Sequence, residues 1–381
     1  MNTNFKAMIA GIFKEKAGEN RVILLPETVA ELIKKKVEVW VEKGAGEASY
    51  SSDEQYENAG AKIKSADDIL KGADLLLRIS PPEDQWLKKI SGTQVWIGIL
   101  NPLSEKELVQ ELIDHKLTTF SLDILPRTSR AQAMDILSSQ ATAAGYRAVL
   151  DAAMHLPTFF PMFMTAAGTI TPAKVLILGA GVAGLQAIAT SRKLGARVEA
   201  FDVRTAVKEE VESLGAKFVE VEGAKDDKAA GGYAVEQSED YQKKQRQAVH
   251  DHAVKSDVVI TTAQIPGKMA PKLLMKATVE QMKPGSVVVD LAASTGGNCE
   301  LTVNGKTIEH HGVRIIGQSF YPSTISKDAS KMFGKNALNF MSLIINPEGS
   351  LNLNFADDIV SGTCVTHNGE IINTRVKSLF S

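Results

Sequence analysis

Short apolar runs alternate with amphipathic stretches along almost the whole chain. In its first third, runs rich in aliphatic and aromatic residues occupy positions 7–13, 37–42, 73–79, 94–100 and 117–123. Between them, stretches such as 26–37 and 104–116 repeat their apolar residues at helical spacing. Alternation of this kind is typical of a parallel sheet with crossover helices. This first third of the chain is therefore predicted to be an α/β domain.

A second alternating set begins near residue 173. Its strand-like runs lie at 173–181, 196–203, 216–221, 256–263, 285–292 and 313–319. Two stretches with few helix breakers, 129–155 and 326–345, are predicted to be long connecting helices. The pattern predicts an α/β protein with two doubly wound domains, each built on a parallel sheet and joined by these two helices. We expect a discontinuous N-terminal domain at 1–138 and 322–381, and a second domain at 139–321.

Composition excludes several classes of protein. The 381 residues are 44% hydrophobic and 23% charged, which indicates a globular protein with a substantial core. Forty-three basic and 45 acidic side chains give a net charge of −2, so no nucleic-acid partner is expected. Residues 1–21 show no secretory signal, and glycines interrupt the most apolar window, 175–190. The two cysteines, Cys299 and Cys364, indicate reduced thiols in the cytoplasm.

The strongest local motif follows the apolar run that begins the second set. Gly179, Gly181 and Gly184 form G-x-G-x-x-G between a predicted strand and a predicted helix. Val182 is expected to open that helix. Gly179 suits a tight turn, Gly181 leaves room for a pyrophosphate, and Gly184 permits close packing of helix on strand. Because a helix N-terminus offers unpaired N–H groups to phosphate, the motif predicts a Rossmann-like dinucleotide site.

The next predicted strand ends at Asp202, which Val203 and Arg204 follow. A carboxylate at this spacing accepts hydrogen bonds from the adenosine ribose and repels a 2′-phosphate. The motif therefore favours NAD(H) over NADP(H), although the Arg204 guanidinium is a group that pairs with phosphate. We interpret these three residues as cofactor-binding.

The ends of two other predicted strands carry further candidate site residues, on weaker motifs. Ala263 and Gln264 lie at the carboxyl end of a predicted strand, where the ligand crevice of such folds lies, and are expected to line the nicotinamide half of the site. Asp290 ends another predicted strand and is interpreted mainly as a carboxylate that stabilises a turn. No two of the seven histidines have zinc-ligand spacing backed by cysteines or acids, so no metal site is expected.

The segment 126–140 is polar although it begins a predicted helix. If Ser129 caps that helix, Gln132, Asp135 and Ser139 fall on one face, with Ser138 beside them. Arg127 lies on the approach to the helix. Such a cluster supplies hydrogen bonds that fix the angle of a bound ring without taking up protons.

Several motifs together carry a resemblance to a known family. They include "PRTSRAQAMDILSSQATAAGYRAV", "ITPAKVLILGAGVAGLQAIATSRKLGA", "TTAQIPGKMAP", "MKPGSVVVDLA" and "SGTCVT". Over nearly its whole length the chain resembles the soluble NAD(H)-binding component of the proton-translocating nicotinamide nucleotide transhydrogenases. The resemblance implies a catalytic set that holds the nicotinamide and its ribose, namely Arg127, Gln132, Asp135 and Ser138. Alignment of two rings is then the catalytic task, since hydride exchange needs no proton donor.

The resemblance also implies a mobile loop and further subunits. Gly232 and Tyr233, in the charged segment 222–247, match a loop that closes over bound nucleotide. NADP(H) is expected on a partner subunit, and a membrane-spanning partner is expected to couple hydride exchange to proton translocation. A homodimer is implied, with the apolar stretch 162–170 as a candidate dimer arm. The chain is then expected to lie peripherally on the cytoplasmic face of the inner membrane.

Alanine dehydrogenases share this fold and are the alternative. An amino-acid dehydrogenase needs a positioned acid–base group and cationic clamps for a carboxylate. The dehydrogenase pattern has a histidine where this chain has Ile99 or its neighbours, and an aspartate where it has Ser294. Arg21 remains and Arg78 stands where a lysine is expected, but the proton-transfer pair is missing. A third possibility is a nucleotide-sensing module without turnover.

Overall fold

Two compact units make up the protein. The computed structural model describes residues 7–223, 238–265 and 267–380. Unit 1 comprises Met1–Gln140 and Pro322–Ser381, and unit 2 comprises Ala141–Tyr321. Each unit contains a large, mainly parallel sheet with helices on its faces, which confirms the predicted α/β fold class.

Most of the strands coincide with the apolar runs of the sequence. In chain order they are β1 (Ile9–Ile12), β2 (Glu38–Glu42), β3 (Lys62–Lys64), β4 (Leu75–Leu77), β5 (Val95–Gly98), β6 (Thr118–Ser121), β7 (Phe163–Thr165), β8 (Gly168–Ile170), β9 (Lys174–Leu178), β10 (Arg197–Phe201), β11 (Lys217–Phe218), β12 (Val258–Thr261), β13 (Val287–Asp290), β14 (Thr307–His310), β15 (Val313–Ile316), β16 (Cys364–His367) and β17 (Glu370–Ile371). Strands β3, β7, β8, β14, β16 and β17 were not predicted individually.

The helices lie between these strands. They are α1 (Pro26–Ile33), α2 (Asp53–Asn58), α3 (Ala66–Gly72), α4 (Asp84–Leu87), α5 (Lys106–Asp114), α6 (Ile136–His155), α7 (Val182–Lys193), α8 (Lys208–Ser213), α9 (Glu239–Ala253), α10 (Lys276–Val279), α11 (Tyr321–Thr324), α12 (Ser326–Ile344), α13 (Asp358–Thr363) and α14 (Thr374–Lys377). Local signals start several of them. Proline occupies the first turn of α1, and serines at the N-caps of α2 and α3 form capping boxes.

The sheet of unit 1 has eight strands in the described residues, in the order β17-β16-β6-β5-β4-β1-β2-β3. Strands β1 to β6 are parallel, whereas β16 runs antiparallel to β6 and β17 antiparallel to β16. The predicted parallel sheet is therefore extended at this edge by two antiparallel strands. A short turn joins β16 to β17, and only antiparallel neighbours can be joined in this way without a crossover.

Alternate residues of unit 1 strands build two cores. Ala10 and Ile12 of β1 face a core that α1 and α12 cover, and Leu75 and Leu77 of β4 face the same way. Ile9 lies on the opposite side of the sheet, in a core that contains two buried tryptophans. Because both faces are covered, the strands read as nearly continuous apolar runs in the sequence.

The described part of unit 2 contains a seven-stranded sheet in the order β11-β10-β9-β12-β13-β15-β14. Among these strands all pairings are parallel except that of β14 with β15. From β9 the chain moves to β10 on one side and later to β12 on the other side. The direction of winding therefore reverses between β9 and β12, where ligands of doubly wound sheets bind. Strands β7 and β8 form a separate two-stranded hairpin whose residues are exposed.

Candidate dinucleotide-binding site

The glycine turn, residues 179–184, lies at the reversal point of the unit 2 sheet. It follows β9, of which Val175–Leu178 are buried between β10 and β12. Gly179 adopts a φ of 104°, a backbone conformation that L side chains rarely adopt, and its N–H donates to the Phe201 carbonyl over 2.8 Å. Helix α7 starts at Val182 with Gly181 as an N-cap that provides no side chain. The first-turn N–H groups of α7 are therefore left for a ligand.

The three glycines of the turn meet different surroundings. A Cβ atom on Gly184 would lie 1.9 Å from the Gly179 carbonyl oxygen, so only glycine permits this packing of helix on strand. A Cβ atom on Gly181 would have nothing within 4 Å. Gly184 is thus required by the fold, whereas Gly181 faces open space of the kind that a pyrophosphate needs. Val182 is exposed.

Asp202 follows β10 and ties it to the glycine turn. One carboxylate oxygen accepts the Ala180 N–H at 2.7 Å and the Arg204 Nη2 at 2.7 Å. The other accepts the Arg204 backbone N–H and Nε, each at 2.9 Å. Only 9% of Asp202 is exposed, and the half-buried Val203 packs against a core of unit 2. The carboxylate therefore stands at the turn, and the charge of Arg204 is compensated by it.

Ala263 and Gln264 follow β12 on the other side of the reversal point. The buried Asn298 accepts the Ala263 N–H at 3.0 Å and donates to the Ala263 carbonyl at 2.9 Å. The Gln264 amide donates to the Leu291 carbonyl at 3.1 Å. Thr262 Oγ1 donates to the Gly179 carbonyl at 3.0 Å, which joins β12 to the glycine turn.

Asn298 and Thr262 were missed by sequence reasoning. Asn298 lies in "TGGNCE", directly after a glycine pair, and its partner Ala263 is 35 residues away in the chain. Thr262 stands within "TTAQ", directly before Ala263 and Gln264. Only the hydrogen-bond partners distinguish these two from ordinary strand-end residues.

Asp290 has a structural role. It is fully buried and accepts the N–H groups of Ala292 and Cys299, both at 3.0 Å, and the Thr302 hydroxyl at 2.6 Å. Its carboxylate thereby organises the loop that also carries Asn298. These three partners are all donors to the carboxylate, as the interpretation of Asp290 as a turn-stabilising residue requires.

The polar loop, residues 126–140, departs from the predicted structure. Ser129–Met134 form a 3₁₀ helix, Asp135 is extended with φ −73° and ψ 93°, and α6 begins only at Ile136. Asp135 accepts the Ser138 N–H at 3.0 Å and the Ser138 hydroxyl at 2.6 Å. Asp135 therefore caps α6, the role expected of Ser129 from the sequence. The predictions of a single helix over 129–155 and of a shared helical face for Gln132 and Asp135 are therefore wrong.

The structure brings some members of the predicted set together. Asp135 and Ser138 are half-buried and bonded to each other, while Arg127 and Gln132 are exposed on the same loop. Ala131 and Met134 are buried in the core of unit 1 and so anchor the intervening turn.

Other segments of unit 1 hold the polar loop. The Ala133 carbonyl accepts the side-chain amides of Asn336 and Asn339 of α12, at 2.8 and 2.9 Å. The Arg130 guanidinium pairs with Asp357, at 2.6 and 2.8 Å, and also with Asp358. Gln132 and Asp135 therefore lie on a turn that is fixed from the C-terminal region of the chain.

The two arginines weighed as carboxylate clamps are already paired in unit 1. Arg21 makes hydrogen bonds of 2.8 and 2.6 Å to the Glu19 carboxylate and one of 2.8 Å to the Gln140 side chain. Burial opposes ionisation of Glu19, but the Arg21 hydrogen bonds and charge lower the pKa of Glu19 below its ordinary value. The side chain of Arg21 is only 11% exposed.

Arg78 is enclosed more completely. It is 2% exposed, stacks over the Trp86 ring at 4.7 Å, and lies 3.1 Å from Glu83 and 3.7 Å from Glu15. Burial raises the pKa of Glu15 although the Arg78 charge acts in the opposite direction. A substrate carboxylate would have to displace this chain's own glutamates to reach either arginine.

The thiols are unreactive. Cys299 and Cys364 are buried, and burial raises their pKa values to about 11 and about 12. At neutral pH each is almost entirely the protonated thiol, which is a poor nucleophile. Gly232 and Tyr233, the predicted loop residues, lie outside the described residues.

Two family models cover the chain almost end to end. The model described as "Alanine dehydrogenase/PNT, N-terminal domain" matches residues 11–144, and "Alanine dehydrogenase/PNT, C-terminal domain" matches residues 148–374. The chain belongs to this family. Membership confirms the resemblance stated from the motifs and implies an oxidoreductase that binds NAD(H).

Individual relatives refine this placement. The first portion of the NAD(P) transhydrogenase alpha subunit, a protein of Rhodospirillum rubrum, is 46% identical over 370 residues, which cover 94% of this chain and 96% of that protein. A solved transhydrogenase structure from Sinorhizobium meliloti superposes with a TM-score of 0.88 at 44% identity, covering 96% of this chain and 100% of that one. Alanine dehydrogenase of Mycolicibacterium smegmatis is 26% identical over 378 residues, with coverage of 97% and 96%. The chain therefore resembles transhydrogenase alpha subunits more than dehydrogenases.

Within the described ranges, none of the helices combines the length and the apolar character that a membrane crossing requires.

Proposed function

We propose that this chain is the NAD(H)-binding subunit of a proton-translocating NAD(P) transhydrogenase. NAD(H) binds at the glycine turn of unit 2, with its pyrophosphate at the N-terminus of α7 and its adenosine ribose at Asp202. Val182, Val203 and Arg204 complete the adenosine side, and Ala263 and Gln264 line the nicotinamide side. Gly232 and Tyr233 belong to the loop that closes over the nucleotide. The domain boundaries near residues 138 and 321 belong to the same proposal.

The observation that carries the proposal is that Arg21 and Arg78 are each paired with a glutamate of this chain. Family membership leaves two activities, hydride exchange between nucleotides and oxidation of an amino acid. The second needs free cations for a carboxylate and a proton-transfer group. Both candidate cations of this chain are paired with glutamates, and Ile99 and Ser294 stand where the dehydrogenase pattern has its acid–base groups. Hydride exchange requires neither.

In this proposal the residues of the polar loop position the nicotinamide ring and transfer no proton. Bound NADH donates a hydride to NADP⁺ on the partner subunit. NADH is thereby oxidised to NAD⁺, and NADP⁺ is reduced to NADPH. Arg127, Gln132, Asp135 and Ser138 hold the nicotinamide and its ribose so that the two rings face each other. Reacting carbons must approach within about 3–3.5 Å in line, and such alignment supplies most of the rate that a positioning site can give. The Asp135–Ser138 bond keeps two of these groups in fixed orientation.

Because this chain is proposed to bind only NAD(H), the transhydrogenase needs further subunits. NADP(H) belongs to a second subunit, and a membrane-spanning subunit couples the exchange to proton translocation. This chain would dock on the cytoplasmic face of the inner membrane without crossing it. The exposed hairpin β7–β8, with Phe163, Met164 and Ile170 at its surface, supports a homodimer because exposed apolar patches mark protein–protein interfaces.

Three assays together test the proposal. The purified chain is titrated with NADH, assayed with pyruvate and ammonia, and assayed with NADPH and an NAD⁺ analogue of distinct absorbance. The last assay is run with and without the NADP(H)-binding subunit of the same organism. We expect NADH binding, no oxidation of NADH by pyruvate and ammonia, and exchange only with the partner present.

Each other outcome has a definite meaning. Turnover with pyruvate would replace the proposal with alanine dehydrogenase. Binding without any exchange, when the partner subunit itself binds NADP(H), would favour a nucleotide sensor. Failure to bind NADH would contradict the assignment of the glycine turn.

A further inference from the structure

Three polar side chains of unit 2 converge away from the residues discussed so far. Glu280 follows α10, His310 ends β14, and His311 begins the turn to β15. The His310 Nε2 atom lies 3.1 Å, and the His311 Nε2 atom 4.0 Å, from the same Glu280 oxygen. The two imidazole rings are 4.7 Å apart. Two ring nitrogens and one carboxylate oxygen therefore point into a common space.

The backbone of the turn produces this convergence. His310 pairs with Val313 in the antiparallel ladder, so His311 and Gly312 form a two-residue hairpin loop. Their φ values are 52° and 74°, both in the left-handed region that such a loop requires. Neighbouring side chains of a strand point to opposite faces, whereas the left-handed turn at His311 brings its ring beside that of His310.

Histidine is not the residue that the turn itself favours. Asparagine before glycine is the preferred sequence for this loop, because asparagine adopts the left-handed conformation at little cost. Histidine also adopts this conformation, and here it places a second imidazole next to the first. The turn would be more stable with asparagine, and the side chain lost would be a metal ligand.

We propose that Glu280, His310 and His311 form a binding site for a divalent transition metal, with Zn²⁺ as the expected ion. Two imidazoles and one carboxylate are a common ligand set for Zn²⁺, which takes water as a fourth ligand. The three ligand atoms lie within 4.8 Å of one another. Tetrahedral zinc with bonds of about 2.0–2.1 Å needs them about 3.3 Å apart, so the site closes by small side-chain rotations.

The exposure of the ligands permits these rotations. The side chains of Glu280, His310 and His311 are 32%, 27% and 59% exposed. One cation competes with the metal, since the Lys276 Nζ lies 3.8 Å from the same Glu280 oxygen. Its side chain is 55% exposed and can turn to solvent.

The site lies at the opposite end of the sheet from the glycine turn. The turn at His311 precedes β15, whereas Gly179 follows β9, and both strands run in the same direction through β12 and β13. The proposed metal site is therefore separate from the nucleotide site, and the proposal does not rest on the function proposed above. The expectation from the sequence that no metal site exists considered only spacing along the chain. Glu280 is separated from His310 by 30 residues and meets it only in the fold.

The test uses the full chain and Co²⁺ or Zn²⁺ alone. Co²⁺ is titrated and its visible absorption recorded, because tetrahedral nitrogen and oxygen ligation gives intense bands that hydrated Co²⁺ lacks. Zn²⁺ affinity is then measured by competition and by the rise in thermal unfolding temperature. Variants are His311→Asn, His310→Gln and Glu280→Gln, with His115→Gln as the control, since His115 is an exposed histidine of unit 1.

We expect tetrahedral bands and a stabilisation by Zn²⁺ in the wild type and in the control. Each site variant should bind Zn²⁺ at least about tenfold more weakly, in the range seen for lost metal-site interactions. His311→Asn keeps the turn and should be at least as stable as the wild type without metal. Equal Zn²⁺ affinity of the wild type and His311→Asn, or octahedral Co²⁺ spectra in both, would overturn the proposal. NADH titration of the same samples should be unchanged, which separates this result from the proposed function.

Discussion

The glycine turn of unit 2 and the polar loop of unit 1 hold their shapes by different means. The glycine turn is built largely by residues close together in sequence, and a Cβ atom on Gly184 would lie 1.9 Å from the Gly179 carbonyl oxygen. The polar loop is held by residues about two hundred positions away, including Asn336, Asn339 and Asp357. One region could therefore be recognised from a local motif, whereas the structure of the other could not.

The difference also separates two kinds of function. A turn that must fit a pyrophosphate needs fixed backbone, and glycines at set spacing provide it. A loop that must orient a ring needs side chains held by a surrounding frame, which distant partners supply. Variants of the first region should change affinity and stability, and variants of the second should change rate.

The largest effect is expected from Gly184→Ala. The added Cβ would lie 1.9 Å from a backbone oxygen, so strand and helix must separate. We expect a loss of about 3 kcal/mol in the free energy of unfolding. NADH affinity should fall about 100-fold, equivalent to about 2.7 kcal/mol. Thermal unfolding and NADH titration measure the two quantities.

Gly181→Ala is the matched control, because its Cβ would have no neighbour within 4 Å. Its unfolding temperature should equal that of the wild type, while NADH affinity falls about tenfold because the methyl group occupies the approach of the pyrophosphate. Equal destabilisation by both substitutions would contradict the separation of packing and ligand roles within the turn.

In the polar loop, Gln132→Asn should slow hydride transfer about tenfold, since a shorter side chain no longer fixes the ring angle. The dissociation constant of NADH should change by less than about twofold. Single-turnover exchange with the partner subunit gives the rate, and titration gives the affinity. A weaker affinity with an unchanged rate would make Gln132 a binding residue only.

The substitution Asp202→Asn, beside the glycine turn, tests the preference for NAD(H) over NADP(H). Loss of the charge weakens the hydrogen bonds that Asp202 accepts, and NADH affinity should fall about tenfold, or about 1.4 kcal/mol. Titrations of the wild type and the variant with NADH and NADPH measure the preference. Wild-type binding of NADPH as tight as that of NADH would refute the assignment of Asp202 as the discriminating group.

The smallest effect is expected from Arg130→Ala. The exposed pair with Asp357 contributes little stability, because water and salt screen the attraction between the two charges. Its loss should loosen the polar loop and lower the transfer rate about threefold, with unchanged NADH affinity. Lys89→Ala, which removes an exposed ion pair with Asp67 elsewhere in unit 1, is the control and should leave the rate unchanged. Equal effects of the two substitutions would show that the loop does not depend on Arg130.

Much of the fold was predictable because its signals are local. The alternation of apolar runs and helical stretches indicated the α/β class, and continuous burial of strands such as β9 explains why the pattern was clear. The edge strands β14 and β17 were missed, since short, half-exposed segments carry no strong periodicity.

The sequence by itself determined the glycine turn, because the motif, the strand before it and Asp202 after it are read within about 30 residues. Only the tertiary structure decided that Asp135 rather than Ser129 caps α6, since the competing 3₁₀ turn is held by bonds to Asn336 and Asn339. It also decided that Arg21 and Arg78 each form an ion pair with a glutamate, and that Glu280 lies beside two histidines. The reason is physical. Glycine conformations and helix N-termini follow from neighbours in the chain, whereas the partner of a charged or polar side chain depends on which distant segment folds against it.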